Sequence, residues 1–299
     1  MGLSIAIPES SLSDESLKID KTRKISVLAR ACAIFKTDTI FVYQEGNNKQ
    51  DGNLLVMILK YLETPQFLRK RLFPKINDLK FAGVLHPLRI PSHVTPANPK
   101  KIKVKDVREG IVVAVKGKKF VDVGINQLIP FFGSTQIGKR TTVQFKQEYP
   151  NFSVKEIKKH EVPTYWGYSV KERANLFSLL SEWKGNIILT SRKGRTATKD
   201  QLTKYTNSDQ PTLVVFGSPE KGIHEILGNK IKNVQNAKSL NFFPDQATET
   251  VRLEEALLGT FPIPIANKRK FFRSAISFLL CIFFLYIVDV ISFLCIKYC

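Results

Sequence analysis

The residues best placed to do chemistry are Phe216-Gly217-Ser218-Pro219-Glu220-Lys221-Gly222, which close the apolar run Leu213-Val214-Val215 and open a helix-like stretch. A second segment, Asn241 to Arg252, leads into Leu253-Glu254-Glu255-Ala256-Leu257-Leu258. Two loops carrying glycine or proline, one at a strand end and one at a helix start, offer backbone amides and carbonyls to a small molecule. Metal chemistry is not indicated. His86, His93, His160 and His224 are scattered, and Cys32, Cys281, Cys295 and Cys299 form no CxxC pair. The same cysteine pattern argues against a disulfide framework and for a reducing compartment.

Charge narrows the partner. The chain has 299 residues with 46 Lys and Arg against 26 Asp and Glu, a net charge of +20. Such a surplus favours an anionic partner, nucleic acid or an acidic membrane face. Apolar residues make up 43% of the chain, enough for a packed core and too many for wholesale disorder. The stretch from Met1 to Ile5 lacks the basic and apolar regions of a secretory signal, so a cytoplasmic protein is expected.

The elements that must position the two loops alternate. Leu3 to Ile7, stopped by Pro8, is a short first strand. Asp14 to Phe35 carries apolar residues near helical spacing, with Ser13 or Asp14 to cap it. Thr39 to Tyr43 is a buried strand and Asn53 to Tyr61 a helix. Thr64-Pro65 reads as a helix cap followed by proline at the first helical position. After a proline-broken stretch this alternation returns. Tyr165 to Val170 reads as strand, Lys171 to Trp183 as helix, and Asn186 to Thr190 and Thr212 to Phe216 as strands. Strand–helix alternation of this kind predicts a parallel sheet covered by helices.

Between the two halves the period changes. Ile102–Val104, Gly110–Val115, Lys119–Val123, Gln127–Pro130 and Thr141–Phe145 are short β-type runs, with turns at Lys116-Gly117 and Gly138-Lys139. They predict a small inserted all-β barrel such as an OB-fold. The insert is basic: Lys101, Lys103, Lys105, Lys118, Lys119, Lys139 and Arg140 are its candidate phosphate contacts. Phe120, Phe131, Phe132, Phe145, Tyr149 and Phe152 interleave with them. Most of these rings are expected in the barrel core, with a few at the rim to stack on bases.

Taken in order, Leu3 to Pro8, Arg30 to Phe35, Tyr165 to Tyr168, Phe216 to Pro219 and Gln246 to Ala256 resemble the SPOUT superfamily of trefoil-knot RNA methyltransferases. The likeness is to its archaeal and eukaryotic branch with an inserted OB-like domain, and it spans roughly residues 3 to 260. It implies a knotted α/β domain over 1–92 and 162–267, with the OB-like RNA-binding insertion at 93–161. It also implies S-adenosylmethionine as cofactor, rRNA or tRNA as substrate, and a homodimer. Gly217-Ser218-Pro219-Glu220-Lys221-Gly222 resembles the family's cofactor loop with one residue inserted.

On that resemblance Gly217 and Gly222 let the backbone approach the cofactor closely, and Pro219 stiffens the loop around Ser218. Phe216, Ile223 and Leu240 are its apolar walls. Thr248 and Thr250 belong to the second knot segment, where Thr250 caps the last helix. Glu249 and Arg252 read as an ion pair or as catalytic groups. Arg195, with Arg192 in the loop Ser191 to Arg195, reads as a phosphate contact, a catalytic candidate or a solvated basic loop. The sequence names no general base.

Two features depart from the pattern. Pro262 and Pro264 shorten the last helix, which in this superfamily helps form the dimer. The stretch from Ala275 to Ile296 is almost purely apolar and long enough to cross ~30 Å of hydrocarbon as a helix. With Lys268, Arg269, Lys270 and Arg273 before it, it reads as a transmembrane anchor on the cytoplasmic face of a membrane. A buried terminal helix and a reading-frame artefact are the alternatives. Two other functions stay open: a non-catalytic RNA-binding protein of the same fold, and a membrane-tethered RNA-binding adaptor.

Overall fold

A computed structural model describes residues 2–46, 49–93 and 98–260. β1 (Leu3–Pro8) and β2 (Thr39–Tyr43) are apolar runs buried on both sides, as central strands of a parallel sheet must be. β1 pairs in parallel with β2 and with β10 (Thr212–Val215). With β8 (Ser169–Arg173), β9 (Asn186–Thr196) and β11 (Ala237–Asn241) they form one six-stranded sheet, ordered β11-β9-β10-β1-β2-β8. Every pairing in it is parallel.

The two-residue period of the strands splits the core into two layers. Ile5, Ile7, Ile40 and Val42 face a layer made by α1 (Lys18–Ile34), α2 (Lys49–Glu63), α5 (Lys199–Asn207) and α7 (Leu253–Thr260). Ala6, Phe41, Leu213 and Val215 face α4 (Leu176–Glu182) and α6 (Ile223–Leu227).

The inserted unit is a separate antiparallel sheet. It comprises β3 (Val107–Val115), β4 (Lys118–Asp122), β5 (Leu128–Pro130), β6 (Arg140–Gln147) and β7 (Ser153–Ile157), ordered β5-β4-β3-β6-β7. The predicted turn at Lys116-Gly117 joins β3 to β4, both residues holding positive φ as a two-residue hairpin requires. The outer strands β5 and β7 touch, so the sheet curls on itself. Phe131, Phe145 and Phe152 fill its core, while Phe132 and Tyr149 stand outside it.

Several local expectations are corrected. Neither Ser13 nor Asp14 caps α1, which starts four residues after Asp14, with Leu17 at the cap position. Asp14 is taken up instead by Lys24, which donates to it at 2.5 Å. Thr64 caps nothing, because its hydroxyl bonds back to Lys60 O at 2.9 Å and Pro65 takes the cap position of α3 (Gln66–Leu72). Ile102–Val104 is not a strand, since Pro99–Lys101 coils into a 3₁₀ turn capped by the Asn98 side chain. The strand placed at Tyr165–Val170 lies later, as β8, and α4 opens only at Leu176, where Asn175 accepts from Ser178 N at 2.8 Å. β7 and β11 are additional strands. β7 is too mixed in polarity to show a period, with only Ile157 buried.

The transmembrane expectation is also corrected. Among the described residues no helix is long and apolar enough to cross a membrane. The segment on which that expectation rested, 275–296, lies outside the described residues, as do Pro262 and Pro264.

One ion-pair cluster joins the two units. Arg140, on β6, reaches Glu63 at the end of α2 (2.6 Å) and Glu109 on β3 (2.5 Å). Lys159 adds a second cation to Glu63 at 3.1 Å, and Trp166 and Thr142 donate to Glu109. Arg140 is therefore not a phosphate contact. Burial opposes its charge, but Glu63 and Glu109 outweigh burial and hold its pKa above the ordinary value. Glu63 and Glu109 have side chains only 10% and 3% exposed, so removing the guanidinium leaves Glu109 buried without a cation and Glu63 with Lys159 alone. Arg140→Ala is expected to cost about 3–5 kcal/mol in chemical denaturation. A loss within about 0.5 kcal/mol, typical of an ordinary surface change, would contradict this reading of the junction.

Candidate functional site

Strands of a parallel sheet all end on the same side, and crevices form where the loops leave that edge. Here the loop after β10 and the segment after β11 line one cleft of about 520 Å³. The glycine–proline loop and the stretch before α7, separated in the chain by α6 and β11, thus line the same cleft.

Buried contacts fix the first loop at its root. Phe216, 1% exposed, continues the β10 pairing by donating its N–H to Ala6 O at 2.9 Å. Its carbonyl accepts from the buried Tyr43 hydroxyl at 2.7 Å. Burial, then the Glu45 carboxylate, push the Tyr43 pKa well above its ordinary value, so the hydroxyl keeps its proton and stays a donor. Further on, Ser218 N donates to Lys221 O, and Lys221 N returns a bond to Ser218 Oγ, both at 2.9 Å. Gly217 is needed for that closure: a Cβ there would stand 2.9 Å from Lys221 O.

The basic segment Ser191 to Arg195 is not a loop after a strand, as expected, but an excursion within one. Along β11, Ser239 pairs with Leu189 and the next residue, Leu240, with Arg195. The intervening residues of β9 swing out, and Gly194 passes so near β11 that a Cβ would lie 2.7 Å from Leu240 N. This excursion puts Thr190 and Arg192 on the cleft wall. Arg192 then donates to Glu249 O at 2.7 Å, and Asn241 Nδ2 to Arg192 O at 3.2 Å, tying the excursion to the segment after β11.

Most of the expected residues meet in this cleft. Phe216, Gly217, Ser218, Pro219, Gly222 and Ile223 line one side, and Leu240, Glu249, Thr250 and Arg252 the other. Thr248 and Arg195 are not in the lining. Arg195 is turned to solvent beyond the excursion. Thr250 does not cap α7, which opens at Leu253 two residues too late. There the Glu255 carboxylate accepts from Arg252 N at 2.9 Å. The Glu249–Arg252 pair is likewise absent: Arg252 faces Glu15 at 3.5 Å, and Glu249 enters through its carbonyl. Lys101, Lys103, Lys105, Lys118 and Lys139 are exposed on the inserted unit, while Lys119 is half-buried and donates to Thr135 O at 3.1 Å.

Asp14 and Gln246 also line the cleft and were not expected there. Asp14 is the more informative. It leaves the β1–α1 connection and is clamped by Lys24, whose side chain is only 2% exposed and also lies 3.5 Å from Glu254. A lysine ten residues downstream of an aspartate carries no local signal. Only the packing of α1 on α7 brings Asp14, Lys24 and Glu254 together.

With that geometry in place, relatives identify the group. A family described as "Putative RNA methyltransferase" matches residues 2–262. The chain belongs to this family. It is 31% identical to the 28S rRNA (uridine-N(3))-methyltransferase of Homo sapiens, over 86% of this chain and 76% of the relative. It is 30% identical to the mouse protein of the same name, over 86% and 74%, and 30% identical to an uncharacterized protein of Halobacterium salinarum, over 87% and 97%. The protein is thus an RNA methyltransferase.

Because the buried Tyr43 hydroxyl donates to the Phe216 carbonyl at the root of the glycine–proline loop, Tyr43→Phe is expected to lower stability by about 1–3 kcal/mol through loss of that buried bond. Amide exchange at Gly217 and Ser218 is expected to rise with it. Unchanged exchange there would show that the loop is held by other contacts.

Proposed function

We propose that the chain methylates N3 of a uridine in large-subunit rRNA, using S-adenosylmethionine bound in the cleft between Phe216–Gly222 and Leu240–Arg252. The observation that carries this reading is the convergence of those two segments on one cleft at the C-terminal edge of a parallel sheet. The names of the human and mouse relatives supply the nucleotide and the ring nitrogen.

The residues present fit such a cofactor. The cleft, about 520 Å³, lies within the ~300–1,000 Å³ usual for small-molecule sites. Gly222 faces open space, with nothing within 4 Å of a Cβ built on it, so backbone is presented where a side chain would fill the cavity. Phe216, Ile223 and Leu240 give apolar walls, and Ser218, Thr250 and main-chain groups give polar partners. When bound, the cofactor supplies a methyl group already activated on sulfonium. What remains for the chain is to orient the acceptor in line and take its proton. The acceptor is a ring nitrogen that carries a proton, so the chain would need a base placed to take that proton as the methyl group is transferred. Asp14, held in the cleft by Lys24, is assigned as that base. Arg252 and Arg192 stand on the same wall and offer cations to the phosphates flanking the target.

The wider architecture follows the same reading. Residues 1–92 and 162–267 are assigned to a SPOUT-type knotted domain and 93–161 to an OB-like RNA-binding insertion. The all-parallel six-stranded sheet and the curled antiparallel one support this. Lys101, Lys103, Lys105, Lys118 and Lys139 are its phosphate contacts, Lys119 being engaged by Thr135 O instead, and a homodimer is the expected assembly.

Calorimetry with S-adenosylmethionine, followed by mass spectrometry of rRNA nucleosides after reaction with labelled cofactor, tests the proposal. Binding with no transfer would leave a non-catalytic RNA-binding protein, and no binding would remove the cofactor assignment. Gly222→Leu fills open space without straining the backbone. It is expected to keep the melting temperature and to weaken cofactor binding at least about tenfold, about 1.4 kcal/mol. Asp14→Asn is expected to leave cofactor affinity in place and to slow transfer about 10²–10⁴-fold. Transfer at the wild-type rate would remove Asp14 from the mechanism.

A further inference from the structure

Phe132 is 93% exposed, while its neighbour Phe131, 3% exposed, lies in the core of the inserted unit. The alternation begins in β5, where Ile129 is buried and Leu128 and Pro130 face out. A loose aromatic on a loop tip would mean little, but this loop is held. The Glu156 carboxylate on β7 accepts from Ser134 N at 2.6 Å and from Ser134 Oγ at 3.1 Å. It also accepts from Thr135 N at 3.4 Å, from the Thr135 hydroxyl, and from Thr141 Oγ1 at 3.3 Å. Gly133, next to Phe132, is packed so closely on Glu156 and the Phe131 ring that no Cβ fits. Phe131 N donates to Lys119 O at 3.0 Å, and Lys119 Nζ to Thr135 O at 3.1 Å. Burial pulls the Glu156 carboxyl upward, but the bonds from Thr135 and Ser134 outweigh it and keep its pKa below the ordinary value. The carboxylate therefore keeps accepting at neutral pH, and its support of the loop is lost only as pH falls through that lowered value.

The surroundings select the partner. Lys118 and Lys139 are exposed: Lys118 adjoins Lys119, which is bonded to Phe131 and Thr135, and Lys139 closes the stretch that runs from Phe132 to the start of β6. Nearby acids are spent: Asp122 on Arg71 at 2.9 Å, Glu109 on Arg140, and Glu156 on the loop itself. A rigid, exposed aromatic face flanked by unneutralised lysines matches an unpaired nucleobase between two phosphates, since every base offers a π-face and phosphate supplies the charge.

We propose that Phe132 is a stacking platform for one unpaired base of the RNA, clamped in place by Glu156, with Lys118 and Lys139 meeting the adjoining phosphates. It lies on the inserted unit, outside the lining of the cofactor cleft, so it adds a recognition element for single-stranded RNA to the enzyme. This rests on the reading of the chain as an RNA-modifying enzyme.

The test is binding of a fluorescently labelled short single-stranded RNA to the full chain, across a salt series, for wild type, Phe132→Ala and Phe132→Trp. Phe132→Ala is expected to weaken binding about 5- to 150-fold, the range for losing one stacked ring. Its salt dependence should match wild type, because no phosphate contact is lost. Phe132→Trp is expected to retain affinity and to show RNA-induced quenching of indole emission beyond that of wild type. Cofactor binding and melting temperature should be unchanged in both variants.

Affinity of Phe132→Ala within about twofold of wild type, or no added quenching in Phe132→Trp, overturns the stacking proposal and leaves the ring to a protein contact. If that happens while wild type still methylates RNA, only the platform fails. A wild-type chain that binds no RNA overturns the enzymatic reading and the platform together.

Discussion

The pairing of β1 with β10 is the constraint on which the rest of the molecule depends. Leu3 to Ala6 lie in register beside Thr212 to Val215, joining the first strand to one that follows the whole inserted unit in the chain. Once that pairing is made, Phe216 leaves the sheet beside the end of β1, and its carbonyl accepts from the hydroxyl of Tyr43, which closes β2 on the far side of β1. The loop after β10 and the excursion in β9 then rise from the same edge of the sheet. Thr190 Oγ1, which donates to Val215 O at 2.9 Å, ties them at their base. Parallel strands require long crossovers, and the inserted antiparallel unit lies within the longest of them, between β2 and β8.

That insertion would swing freely were it joined to the sheet by its two connections alone. The cluster of Arg140, Glu63, Glu109 and Lys159 gives it an orientation. Buried charges of this sort add little net stability against a well-packed apolar junction, but they are intolerant of mismatch. They set one geometry between the surface that carries the exposed lysines and the cleft that carries Asp14 and Gly222. For an enzyme that must bring one atom of a large RNA to one methyl group, a fixed geometry is worth more than a few kcal/mol of stability.

The charge of +20 is distributed accordingly. Some cations in the α/β unit are held by acids: Lys24 by Asp14, Lys21 by Asp51 at 2.7 Å, and Lys18 by Asp78 at 2.8 Å. On the inserted unit Lys101, Lys105, Lys118 and Lys139 are exposed. The inserted unit thus offers exposed cations to a polyanion, while the cleft between the two loops is lined by groups of both signs, Asp14 and Glu249 with Arg192 and Arg252.

The sequence alone determined what neighbouring residues encode. The apolar runs of β1, β2 and β10, the hairpin turn at Lys116-Gly117, the switch from α/β to short β runs and the glycine–proline loop were all legible, because period and turn chemistry act over a few residues. It also led most of the insert's aromatics to be expected in a core and a few at the rim, but only the fold decided that Phe131, Phe145 and Phe152 are the core ones and Phe132 the most exposed. What it could not determine were partners set by distant packing. Arg140 looked like one more cation on a basic insert until Glu63 and Glu109 closed on it. The segment Ser191 to Arg195 looked like a loop until β11 paired on both sides of it. Asp14 looked like a helix cap until Lys24 drew it into the cleft. In each case the chain presents a charge or a loop locally, and only the tertiary fold decides whether that group meets solvent, another part of the protein or the substrate.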